Sequence, residues 1–128
     1  AAAAQGAAAW NTKYTPVTAA QISGKPYLCE DNPAGIEAVK LEFDGSDQAR
    51  FFLKMGGVDM ILPIGLDGSY RLNSDGTGYR GYWEDMRTFH LEAFDIGLLS
   101  RQVLFDGDRM QISLPEAGLT VACQIQKP

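Results

Sequence analysis

The sequence predicts an all-β protein, an antiparallel up-and-down meander closed into a barrel of about 8–10 strands. Apolar and polar residues alternate in short runs, such as Ala38–Phe43 and Gln48–Met55, as in strands with one buried face. Turn-forming pairs such as Asp44-Gly45 and Gly56-Gly57 separate these runs, which is typical of antiparallel hairpins. No crossover helix is predicted between the runs, and closure hides the edges that an open sheet of this size would expose.

Ten strand segments follow one another along the chain if the short Ser69–Leu72 segment is counted. The strands are predicted over Pro26–Glu30, Ala38–Phe43, Gln48–Met55, Val58–Ile64, Ser69–Leu72, Tyr79–Glu84, Thr88–Phe94, Leu99–Phe105, Arg109–Leu114 and Leu119–Gln126. Further turns are expected at Asp67-Gly68, Asp75-Gly76 and Asp106-Gly107, where glycine tolerates positive φ. After Ala20, the best helical candidate is a single turn around Pro33–Ile36 with Asn32 as its cap.

One face of the predicted strands carries mostly large apolar side chains. This inward set comprises Phe43, Phe51, Leu53, Met60, Leu62, Phe89, Leu91, Val103, Phe105, Met110, Ile112, Leu119, Val121 and Ile125. Burying each of them contributes about 1.5–3 kcal/mol, and a slip of the register by one residue would expose the whole set. We therefore expect a lipocalin-like barrel whose core is filled with side chains.

The domain is expected to begin after an Ala-rich stretch. Residues 1–21 are predicted to be a linker or tail, and residues 22–128 to form the barrel domain. The first nine residues, AAAAQGAAA, lack the cationic start and leucine-rich core of a signal peptide. No apolar stretch approaches the length of about 20 residues that a transmembrane helix needs. The compartment is left open, with the cytoplasm favoured.

The charge of the chain argues against two classes of partner. The formal net charge is −5 and the isoelectric point is about 4.7. Nucleic-acid binding requires clustered lysine and arginine, whereas the cations of this chain are scattered singly. The same scatter leaves no basic patch for a membrane surface. We expect neither nucleic acid nor membrane as a partner.

The two cysteines, Cys29 and Cys123, are expected to be buried free thiols, although a disulfide between the first and last strands stays open. Two distant cysteines do not make a zinc site. The acidic residues before glycine, such as Asp67 and Asp106, suit hairpin turns and do not match the spacing of a calcium-binding loop. We predict neither a metal nor a cofactor.

A histidine and a glycine-rich segment are further candidates for a catalytic or a phosphate-binding site. His90, the single histidine, has the outward parity of its strand and is predicted to be a surface or rim residue and not a catalytic base. The segment Gly76–Gly81 looks like a phosphate-binding glycine loop, but a strand follows it where a dinucleotide site needs a helix. We interpret it as a hairpin tip.

The aromatic residues Tyr79, Tyr82 and Trp83 are the candidate ligand-binding residues of the chain. Trp83 is expected either to plug one end of the barrel or to mark the mouth of a binding site, with the plug favoured. A ligand cavity is the alternative, because barrels of about eight to ten strands can hold one small molecule.

Several strings of residues resemble the C-terminal domain that follows the catalytic domain in beta-lactamase-related serine hydrolases. In chain order they are Ile22-Ser23-Gly24-Lys25-Pro26-Tyr27, Asn32-Pro33-Ala34-Gly35-Ile36, Pro63-Ile64-Gly65-Leu66-Asp67-Gly68-Ser69-Tyr70-Arg71, Gly81-Tyr82-Trp83-Glu84-Asp85, Thr88-Phe89-His90-Leu91 and Phe105-Asp106-Gly107-Asp108-Arg109. The resemblance implies a lipocalin-like barrel behind an Ala-rich linker and a catalytic domain akin to penicillin-binding proteins.

The catalytic signature of that family is Ser-x-x-Lys with Tyr-x-Asn, and neither motif occurs in this chain. No serine is followed by lysine three positions later, and Tyr70 is followed by Asn73, one residue too far. The resemblance therefore implies a non-catalytic accessory domain that packs on the catalytic domain of the same parent protein, shapes substrate access or joins subunits in a homo-oligomer. The alternative is a stand-alone lipocalin-like module that binds a small apolar ligand.

Overall fold

The structure, a computed structural model, describes residues 15–94 and 98–126. Within them lie one short α-helix, ten strands and one 3₁₀ turn. These elements are α1 Val17–Ile22, β1 Tyr27–Cys29, β2 Ile36–Phe43, β3 Gln48–Met55, β4 Val58–Gly65, β5 Arg71–Leu72, β6 Gly78–Trp83, β7 Thr88–Phe94, β8 Leu98–Asp106, β9 Arg109–Leu114, the 3₁₀ turn Pro115–Ala117 and β10 Leu119–Ile125. The predicted all-β class is confirmed.

The strands form a closed barrel of nine strands. Neighbouring strands follow the order β4-β3-β2-β1-β10-β9-β8-β7-β6-β5, and a pairing of β4 with β6 closes the ring. All pairings along this order are antiparallel, as predicted, whereas β4 and β6 run parallel and pair at Gly65 and Arg80. This parallel contact arises because β5 has only two residues and stays outside the ring as an addition to β6.

The predicted strand boundaries agree with the structure to within a few residues. The starts of β2 and β5 differ most, by two residues each, and β2 begins at Ile36, where the sequence predicted a helical turn. Asn32 stabilises a tight turn here and does not cap a helix. Its Oδ1 accepts from the Ile36 amide at 3.1 Å, and its Nδ2 donates to the Ile36 carbonyl at 2.8 Å. The helical prediction at Pro33–Ile36 is therefore wrong.

The barrel has a closed end and an open end. The closed end carries α1 and the turns at 44–47, 84–87 and 106–108, and the open end carries the segments 30–35, 56–57, 73–77 and the 3₁₀ turn. Aromatic side chains fill the closed end, where the ring of Trp83 lies 5.2–5.7 Å from those of Phe43, Phe89 and Phe105. Trp83 is 4% exposed, so it plugs this end of the core.

The predicted linker extends too far along the chain, because helix α1 begins within it. The sequence predicted a linker or tail through residue 21, whereas α1 covers Val17–Ile22 and buries Ala19 and Ile22 against the barrel. The Ser23 hydroxyl then accepts from the Phe43 amide at 2.8 Å and donates to its carbonyl at 3.1 Å. These contacts fix α1 over the closed end. Residues 1–14 lie outside the described part of the chain.

A disulfide joins the first and last strands. Cys29 on β1 and Cys123 on β10 lie directly opposite each other in the ladder, with their Cα atoms 3.9 Å apart, and they form a disulfide bond. The favoured prediction of two free thiols is wrong. Closure of the meander explains the bond, because it makes β1 and β10 neighbours and so brings together two cysteines that are 94 residues apart in sequence.

Candidate functional site

An apolar cavity of about 340 Å³ lies inside the open end of the barrel. Its wall is built from inward side chains of β2, β3, β4, β7 and β9, among them Ile36, Phe51, Leu53, Met60, Leu62, Leu91 and Ile112. The alternation along each strand places these side chains inside. The wall therefore offers hydrocarbon to any molecule that enters.

The cavity exists because the inward positions at the two ends differ in size. The closed end receives the bulky rings of Trp83, Phe89 and Phe105. At the open end, Ala34 and Ala93 occupy wall positions, and alanine leaves space that a larger side chain would fill. The expectation of a core filled throughout therefore holds for the closed end and not for the open end.

Polar groups are few in the wall of this cavity, namely Thr77, Tyr79 and Arg101. Arg101 lies on β8 opposite Leu91 and has the same inward parity as Val103. Its guanidinium forms an ion pair with Glu116 in the 3₁₀ turn and donates to the Ser100 carbonyl at 3.3 Å. Arg101 was missed as a site residue, although its position two residues before the apolar Val103 indicated an inward side chain.

The three predicted ligand-binding residues do not meet in one site. Tyr79 lines the cavity at the open end. Trp83 lies in the aromatic core of the closed end, and Tyr82 faces outward with its ring 5.0 Å from that of His90. A smaller pocket of about 250 Å³, bordered by Tyr82 and Trp83, lies between the turns 44–47 and 66–67 at the rim of the closed end. Only Tyr79 therefore belongs to the cavity at the open end.

His90 sits in a polar network on the outer face of β6 and β7, and its side chain is 14% exposed. Its Nδ1 is 3.5 Å from Glu84 and its Nε2 is 3.7 Å from Glu92. Glu92 also accepts from Arg80 Nε at 3.0 Å and from the Tyr70 hydroxyl at 3.1 Å. The outward parity predicted for His90 is confirmed.

The aspartates in the turns accept hydrogen bonds from nearby backbone amides. Asp44, Asp67 and Asp85 each accept from the amide two residues further on, at 2.8–3.0 Å. Hydrogen bonds lower the pKa of all three carboxyl groups: the Arg71 side chain is the main cause at Asp67, the Ser46 side chain at Asp44 and the Arg87 amide at Asp85. In residues 15–94 and 98–126, no three histidine, cysteine or acidic side chains are grouped so that they could hold a metal ion.

No family model matches this chain, and neither does any curated protein or solved structure. Within the described residues, no helix has the length and apolar character needed to cross a membrane.

Proposed function

We propose that this barrel binds a small apolar ligand in the cavity at its open end. The observation that carries the proposal is the cavity itself, whose volume of about 340 Å³ falls within the range of about 300–1,000 Å³ of small-molecule sites. Its composition also fits, since such sites combine an apolar wall with a few polar groups. Tyr79, Thr77 and Arg101 would supply the polar groups here.

Titration with 1-octanol and with the neutral dye N-phenyl-1-naphthylamine tests this function. We expect saturable binding of both, by calorimetry and by dye fluorescence, and displacement of the dye by the alcohol. Ala93→Phe should abolish binding because the ring would occupy the cavity. Ala122→Phe is the matched control, since Ala122 lies between the inward residues Val121 and Cys123 and faces outward. Equal binding by both variants would contradict the proposal.

A second candidate function is that of an accessory domain in a larger beta-lactamase-related serine hydrolase. The sequence resemblance supports it, and the resembling residues have clear roles in the barrel. Arg71 pairs with Asp67 at 3.0 Å within one motif, and Gly65 in the same motif leaves no room for a Cβ beside the Ser69 carbonyl. Because α1 covers the closed end, a preceding catalytic domain would be joined on that side.

The accessory role is tested by the coding sequence and by assay. We expect a Ser-x-x-Lys domain upstream of residue 1, and no hydrolysis of chromogenic lactam, ester or D-amino-acid amide substrates by this chain. Turnover that persists through purification and is lost in His90→Ala would contradict a non-catalytic role.

The disulfide supports an oxidising compartment, and we propose this location in place of the cytoplasm favoured from the sequence. Disulfides persist in secreted and periplasmic proteins and are rare in the cytosol. Acid quenching of cells followed by differential alkylation should find Cys29 and Cys123 linked. Recovery of both as free thiols would contradict this location.

A further inference from the structure

Arg101 places a cation in the mostly apolar wall of the cavity. It belongs to the inward row of β8, and its side chain is only 21% exposed. Among the described residues that line the cavity, it is the only one with a charged side chain. A cation removed from water is costly unless an anion pairs with it. The site therefore requires a negative charge close to Arg101.

A glutamate at the open end of the barrel supplies this negative charge. Glu116, the partner of Arg101, belongs to the 3₁₀ turn Pro115–Ala117, which lies between β9 and β10 at the open end. Its side chain is 37% exposed, more than that of Arg101. Glu116 can therefore move into water at little desolvation cost, whereas Arg101 is held by the strand that carries it. Glu116 is therefore the member of this ion pair that another anion can replace.

We infer that the cavity takes an amphipathic monocarboxylate, whose hydrocarbon chain lies against the apolar wall and whose carboxylate replaces Glu116 on Arg101. This inference rests on the proposed ligand-binding function and specifies the class of ligand. A guanidinium suits it because its planar donors match the two oxygens of a carboxylate. An amine of the same length would instead place a second cation beside Arg101.

The test compares octanoate with 1-octanol by isothermal titration calorimetry of the whole chain. The two probes share their hydrocarbon chain and differ in the head group. We expect octanoate to bind several-fold more tightly, since its carboxylate pairs with Arg101 while the more exposed Glu116 is released into water. Arg101→Gln should remove this preference, so that octanoate binds no more tightly than 1-octanol.

Glu116→Gln provides the opposite change, because it removes the competing carboxylate. We expect it to tighten octanoate binding several-fold and to leave 1-octanol binding unchanged. Asp106→Asn is the matched control: it also removes one negative charge from an ion pair with arginine, that of Arg87 at the closed end. This variant should bind octanoate as the wild type does.

The outcomes separate the two proposals. Binding of 1-octanol without a preference for octanoate, or a preference that survives in Arg101→Gln, overturns the inference and leaves the binding function standing. If neither probe binds, the cavity is not a ligand site, and both proposals fail. Circular dichroism of each variant establishes that it is folded before its binding is compared.

Discussion

Gly81 is a residue at which the barrel wall has no room for a side chain. A Cβ on this residue would lie 2.5 Å from Phe89 Cζ and 2.9 Å from the His90 carbonyl oxygen. Because Gly81 has no side chain, the ring of Phe89 in the aromatic core can pack close to the backbone of β6. Gly81 therefore has a steric role in the wall of the barrel.

Gly81→Ala should therefore destabilise the protein. We expect a loss of about 1–3 kcal/mol, as for overpacked cores, measured as a lower midpoint of urea unfolding. In a Phe89→Leu background the cost of Gly81→Ala should be smaller, because the side chain that the new methyl group meets is shorter. Additive effects of the two substitutions would contradict the proposed clash.

The ion pair between Asp67 and Arg71 should make the stability of the protein depend on pH. Arg71 donates to its two carboxylate oxygens at 3.0 and 3.2 Å, which holds the pKa of Asp67 below its ordinary value. Because the pKa is depressed in the folded state, the stabilisation is present above the unfolded value of about 4 and is lost as the pH falls through the folded-state pKa. The pair is partly exposed, so the effect is at most about 1 kcal/mol.

Asp67→Asn isolates this charge, since asparagine keeps the oxygen that accepts from the Ser69 amide. Urea midpoints should be lower than those of the wild type at pH 7, and the difference should shrink as the pH falls below about 4. Asp31→Asn, at an exposed carboxylate outside the strands, is the control. A difference that grows towards acid would reverse the expected sign.

At the scale of single elements, α1 is part of the folded domain. Ile22 is 6% exposed on the barrel, whereas Val17, on the same helix, is 59% exposed. Ile22→Ala should lower the free energy of unfolding by about 2–5 kcal/mol, because it leaves a cavity under α1. Val17→Ala should change it by less than about 0.5 kcal/mol. Equal effects of the two substitutions in thermal melts would show that α1 does not pack as described.

The disulfide stabilises the seam between β1 and β10. β1 has only three residues, so the covalent bond reinforces a short ladder. Replacing both Cys29 and Cys123 by alanine should cost about 2–5 kcal/mol, since the bond closes a long loop of the unfolded chain. Dithiothreitol should lower the midpoint of the wild type and leave the double variant unchanged. Equal sensitivity of both proteins to dithiothreitol would contradict this role.

At the scale of the molecule, the sequence predicted the fold well and the site poorly. The alternation in segments such as Gln48–Met55, which only Phe52 interrupts, indicates which face is buried, and turn residues mark where strands end. The parallel pairing of β4 with β6 at Gly65 was not predictable, because it depends on how the short β5 fits into a closed ring. The bond between Cys29 and Cys123 likewise depends on closure.

The cavity was harder to foresee, because periodicity shows the direction of a side chain and not the space left between layers. Ala93 and Leu91 have the same inward parity, yet only their placement at the open end shows that the interior is incompletely filled there. Arg101 broke the apolar row of β8 and was the available signal of a polar group inside. Trp83, the most conspicuous aromatic residue, belongs to the core of the opposite end.

The proposed function requires that the open end of the barrel accommodates a small apolar molecule. Methyl nuclear magnetic resonance during titration with 1-octanol is the decisive measurement, because it locates the ligand as well as detecting it. We predict saturable shifts for the methyl groups of Leu53, Met60 and Leu91, which line the cavity, and none for the exposed outer residues Leu28 and Leu104. Shifts confined to Leu28 and Leu104, or none that saturate, would contradict the account.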